Sequence, residues 1–200
     1  MEPMYRFLSN CFFVSFATMM LTVATQTATA TPVVDQAQLL ANTGIPWPDD
    51  VPNGQSFTAG LSGQLTEVDF YSNGPNTGGT ATLKLYSGDG LGGSVLGSIN
   101  DTFGSTPPDS PISFDVSSLN ISVSAGSIYT FDIAAFTGQQ QVLADTSNPY
   151  AGGRQYDNPS YYGNNPSWDL TFRTFVNVPE PSSCLFLALG VIGLAARRRR

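Results

Sequence analysis

The sequence predicts an all-β chain, and three observations predict it. From Gly54 onward, short runs alternate apolar and polar residues with a period of two, the pattern of strands with one buried face. Twenty glycines and fourteen prolines punctuate these runs, as a chain with many tight turns requires. Between the two chain ends no window carries the apolar stripe of an amphipathic helix. Together these imply about eight or nine antiparallel strands in two packed sheets, a β-sandwich of jelly-roll type. An N-terminal signal helix and a C-terminal transmembrane helix are expected to flank it.

In chain order, residues 1–30 come first. Met1 to Arg6 holds one arginine, Phe7 to Val23 is apolar, and Ala28-Thr29-Ala30 supplies small residues. This reads as a secretory signal peptide cut by signal peptidase after Ala30, the other reading being an uncleaved membrane helix. Residues 31–53 form an extended lead, because prolines on both sides of Trp47 argue against a helix. Trp47 reads either as a cap on the core or as a sugar-stacking ring.

The sandwich itself is expected over residues 54–177. Its candidate strands are Gln55 to Ala59 and Gln64 to Tyr71, then Thr80 to Ser87 and Val95 to Ile99. Leu65 is out of phase with Val68 and Phe70, which places a bulge between them. Ser87-Gly88-Asp89-Gly90 turns the chain. Ile112 to Val116, Ile121 to Val123, Ile128 to Ala134, Gln139 to Ala144 and Trp168 to Val176 follow. In the last of these, Leu170, Phe172 and Val176 point one way, and Asp169, Thr171, Arg173 and Phe175 the other.

Between Thr31 and Val178, three basic residues (Lys84, Arg154 and Arg173) stand against thirteen acids, a net of −10. Such a body repels phosphate backbones, so no nucleic acid is expected as a partner. Both cysteines, Cys11 and Cys184, lie outside it, which leaves the body without a disulfide. The chain has no histidine, excluding Ser-His-Asp and Cys-His catalysis and histidine-ligated zinc.

The loop from Ala144 to Asp169 is too long and too polar for a hairpin turn. It carries Tyr150, Arg154, Tyr156, Asp157, Tyr161, Tyr162 and Trp168 among glycines, prolines and asparagines. Aromatic faces cover the C–H faces of sugars, and Arg and Asp pair with hydroxyls, so these residues are the candidate carbohydrate-binding set. The competing reading is that the tyrosines pack on the sandwich edge. Asp89 and Asp157 could lend oxygens to a structural Ca²⁺, although turn formation by Asp accounts for both. No other metal or cofactor is expected. Glu67 and Asp69 share a strand face and are the pair a glycoside hydrolase would need, but paired acids on a solvent face are ordinary. We expect no enzyme.

Residues 178–200 carry three signals in order. Pro179-Glu180-Pro181 holds the backbone extended. Cys184 to Ala196 has no charge, and Arg197, Arg198, Arg199 and Arg200 form a stop-transfer plug that stays cytoplasmic. Ser182 to Ala196 makes about 22 Å of helix against a hydrocarbon core of about 30 Å, short for a permanent anchor. Triplet, apolar run and basic tail resemble the PEP-CTERM sorting signal of bacterial surface proteins. The resemblance implies export, transient membrane retention, processing near the triplet by an exosortase, and a place at the cell surface or in the extracellular matrix.

The body is similar to secreted bacterial jelly-roll modules of the galactose-binding-like kind. The resemblance lies in Gln55 to Ala59, Leu65 to Val68, Ala81 to Tyr86, Val123 to Gly126 with Tyr129 to Phe131, and Tyr150 to Gly153. It implies the sandwich and, at most, sugar binding. The function expected is that of an exported structural protein associated with extracellular polysaccharide, with a carbohydrate-binding module as the alternative.

Overall fold

The computed structural model describes residues 31–47, 53–74, 76–134, 137, 140–157 and 168–179. The expected signal helix and transmembrane helix both lie outside these residues. Among the described residues no helix is long and apolar enough to cross a membrane. Thr31–Val178 forms one compact unit.

The first sheet contains β1 (Val33–Gln38), β4 (Gly63–Tyr71), β7 (Pro111–Asp115) and β13 (Phe172–Asn177), in the order β1-β13-β4-β7. The two-residue β8 (Ser122–Val123) pairs with the start of β4. In the second sheet the order is β11 (Gln155–Asp157), β3 (Asn53–Thr58), β9 (Ile128–Ala134), β5 (Asn76–Ser87) and β6 (Val95–Thr106). A third, smaller sheet joins β12 (Asp169–Leu170), β10 (Gln140–Asp145) and β2 (Thr43–Trp47). The strand pairings are antiparallel, as expected. A single 3-10 turn, Ser117–Leu119, is the helical element among the described residues.

The strands of the two large sheets interleave along the chain, with β5 and β6 consecutive in the second. With β1, β3, β4, β5, β6, β7, β9 and β13 counted in order as one to eight, the first sheet reads one-eight-three-six and the second two-seven-four-five. The inward faces meet in one apolar core, with Phe57, Phe114, Phe131 and Phe172 fully buried. Phe131 on β9 and Phe172 on β13 touch across the sheets, ring centres 5.6 Å apart.

The expected bulge is present. Phe175 faces Glu67 and Val176 faces Leu65, so Thr66 is the extra residue of β4. That residue resets the phase and lets Leu65, Val68 and Phe70 all point into the core.

Other elements differ from expectation. The stretch read as an extended lead contains β1 and β2. Pro46 lies opposite Gln141, on an edge strand where a missing N–H costs nothing. The candidate strand Trp168 to Val176 is two strands in different sheets, because Thr171 donates its backbone N–H to Leu143 O and not to the first sheet. Three side chains expected on the polar face, Asp69, Asp169 and Thr171, are buried. Asp69 is fully covered because Arg173 and Ser113 close over it. Asp169 is fully covered because Gln55 and the Tyr150 backbone occupy its oxygens.

Candidate functional site

The loop stretch read as a sugar site separates in the structure. Tyr150 turns inward, its ring meeting Phe172 edge-on at 5.2 Å and its hydroxyl donating to Gln36 Oε1 at 2.9 Å. Burial raises its pKa to about 12. Trp168 is half-buried against the core, and its carbonyl accepts from Gln155 N. Both rings pack against the core. Tyr161 and Tyr162 lie outside the described residues, as do the side chains of Asp157 and Trp47.

Arg154 and Tyr156 stand at the surface and are joined by Asp89. Strand β11 brings them there, because Tyr156 pairs with Gly54 and the Arg154 carbonyl accepts from Ser56 N. Arg154 Nε donates to the Tyr156 hydroxyl at 2.7 Å, and its guanidinium lies 5.0 Å from that ring's centre. A terminal Arg154 nitrogen meets Asp89 Oδ2 at 2.9 Å. Partial burial opposes ionisation of Asp89. Hydrogen bonds from Tyr156 and Ser56, with the Arg154 charge, outweigh it and hold the carboxyl below its ordinary range.

The turn carrying Asp89 is pinned to β9. Gly90 N donates to Thr130 Oγ1 at 2.8 Å, and Thr130 Oγ1 donates to Gly88 O at 2.8 Å. Gly90 has a φ of 100°, and a Cβ there would sit 2.9 Å from the Tyr156 ring. Only glycine lets the ring lie on the turn.

Beside this triad is an open hollow of about 290 Å³ lined by Thr58, Ile128, Ala151, Gly152, Gly153, Asp89 and Arg154. It offers a guanidinium, a carboxylate, a hydroxyl and one apolar wall. Thr58 and Ile128 escaped the sequence reading. Ile128 opens a strand with a buried face, and nothing in the sequence pairs Asp89 with a residue 65 positions away. A second hollow of about 400 Å³ lies among Leu39, Ala41, Tyr71, Asp109, Leu143 and Thr171.

The acid pair sits elsewhere, on the outer face of the first sheet. Arg173 binds Asp69 Oδ2 through two nitrogens at 2.9 and 2.7 Å, and Ser113 donates to Oδ1 at 2.5 Å. Burial, with the neighbouring Asp69, raises the pKa of Glu67. Among the described residues no three Cys, Asp or Glu side chains gather as a metal site.

Of the sorting residues, Pro179 is described and exposed. Glu180, Pro181, Arg197, Arg198, Arg199 and Arg200 lie outside the described residues, as do Ala28 and Ala30.

Comparison with known proteins adds one assignment. Residues 177–200 match the PEP-CTERM protein-sorting motif. No curated protein matches the chain. Among solved structures the chain is similar to one from "Structure of infectious bursal disease virus Gx strain", at 10% identity and a TM-score of 0.16. The match covers 76% of this chain and 35% of the viral one.

Proposed function

We propose that this chain is an exported, non-enzymatic surface protein whose body is a structural component of an extracellular polysaccharide matrix. The observation that carries this reading is the PEP-CTERM motif at residues 177–200, which implies export and processing by an exosortase. Residues 1–30 act as the signal peptide, and the apolar run before the four arginines holds the chain in the membrane until it is cut. The strand order of the two large sheets supports the jelly-roll reading of the body. The lack of cysteine in that body suits a block whose stability is independent of redox state. Fractionation of the host tests the role. The body is expected with the surface polysaccharide, and a Glu180→Ala chain is expected to stay with the membrane. Equal distribution of both chains between fractions contradicts the proposal.

A second reading is favoured by the hollow beside Asp89, Arg154 and Tyr156, which would take a neutral, hydroxyl-rich glycan. Polysaccharide pull-down should be lost with Arg154→Ala and with Tyr156→Ala. Binding that survives both substitutions removes the hollow as the site.

A further inference from the structure

Asn177 is at once the first residue of the sorting motif and the last residue of β13. Only Val178 separates the strand from Pro179. An enzyme that cuts a peptide reads an extended segment on both sides of the bond, pairing with its backbone much as an added strand does. Every residue it could read before Pro179 belongs to the folded body.

Those residues are already committed. β13 lies between β1 and β4, so both of its edges are paired. Val176 faces Val33 on one side and Leu65 on the other, and it is fully buried. Asn177 faces Gln64. A Cβ on Gly63 would sit 2.3 Å from the Asn177 carbonyl oxygen, so the strands are in close contact there. Val178 is half-buried against the core.

One atom weakens this end. Asn177 Oδ1 is buried without a hydrogen-bond partner. An unsatisfied buried oxygen favours the state in which water reaches it, here the frayed strand end.

Resting on the sorting reading above, we infer that the folded body governs its own processing. The cut falls on the carboxyl side of Pro179, and the enzyme engages the chain when residues 176–178 peel away from the sheet. Asn177 sets how often that happens.

Pulse-chase of the full chain in its host, with the processing enzyme present, tests this. A Gly-Ser insert of about six residues between Val178 and Pro179 adds about 20 Å of free chain. It is expected to shorten the precursor half-life about fivefold, the factor that corresponds to about 1 kcal/mol of fraying. Asn177→Val removes the unpaired oxygen and is expected to lengthen the half-life by a similar factor. Mass spectrometry of the product is expected to end at Pro179 or later.

If the insert leaves the rate unchanged while Glu180→Ala still blocks conversion, the motif acts without control by the body and the inference falls alone. A product ending before Pro179 also overturns it. If Glu180→Ala converts at the natural rate, the sorting reading falls and takes this inference with it.

Discussion

Asp132 shows how one side chain can set the pH response of the body. It is 2% exposed, on β9 opposite Lys84, and its Oδ1 has no hydrogen-bond partner. Burial raises its pKa from the ordinary 3.8 to about 6, against the Lys84 charge and the Asn53 backbone, which both lower it. The folded state therefore favours the neutral acid. Between about pH 4 and pH 6 the unfolded chain gives up this proton before the folded one does, so stability falls as pH rises through that window. Asp132→Asn should flatten this slope and stabilise the body by about 1–3 kcal/mol at pH 8, read by urea unfolding at several pH values. An unchanged slope contradicts the assignment. Asp69 is also buried, and Arg173 is bound to it. Arg173→Ala should cost about 2–3 kcal/mol by leaving a buried carboxylate unpaired, and Arg173→Ala with Asp69→Ala should cost less than Arg173→Ala alone. Neither environment could be read from the sequence. Alternation marks Asp69 as outward-facing but is silent on a residue 104 positions away that folds over it.

At the scale of the element, the sequence is most informative where one strand must satisfy one face. Leu65, Val68 and Phe70 cannot all point inward without an extra residue, and Thr66 is that residue. Deleting Thr66 should force Leu65 or the pair Val68 and Phe70 out of the core. The expected loss is about 3 kcal/mol or more, measured by thermal or urea unfolding, whereas Thr66→Ala should cost far less. Equal effects of the two changes would contradict the bulge's role. Strand β11 was illegible for the opposite reason. Gln155, Tyr156 and Asp157 show no apolar alternation, and they are strand because β3 offers Gln55, Gly54 and Asn53 as partners. Likewise Leu170 and Phe172 read as one continuous strand, since both are buried two residues apart. The change of sheet at Thr171 depends on Leu143, which only the folded chain brings near. The sugar-site reading divided along the same line. Local composition identified an aromatic loop, while packing decided that Tyr150 and Trp168 turn inward and that Arg154 and Tyr156 face Asp89.

At the scale of the whole molecule, the chain joins a folded body, Thr31–Val178, to the PEP-CTERM protein-sorting motif of residues 177–200. The body carries a net of −10 between Thr31 and Val178. Among its three basic residues, Arg154 and Arg173 are engaged by acids and Lys84 faces Asp132. The outer charge thus disfavours polyanions. The triplet, apolar run and basic tail were legible in the sequence because they form one contiguous segment, which matches the PEP-CTERM protein-sorting motif. The most direct test of the central claim is mass spectrometry of the protein recovered from its own host, reading both termini at once. The account predicts a surface-fraction chain that begins at Thr31 and has lost Arg197 to Arg200. Recovery of the uncut 200-residue chain from the cytosol would contradict it.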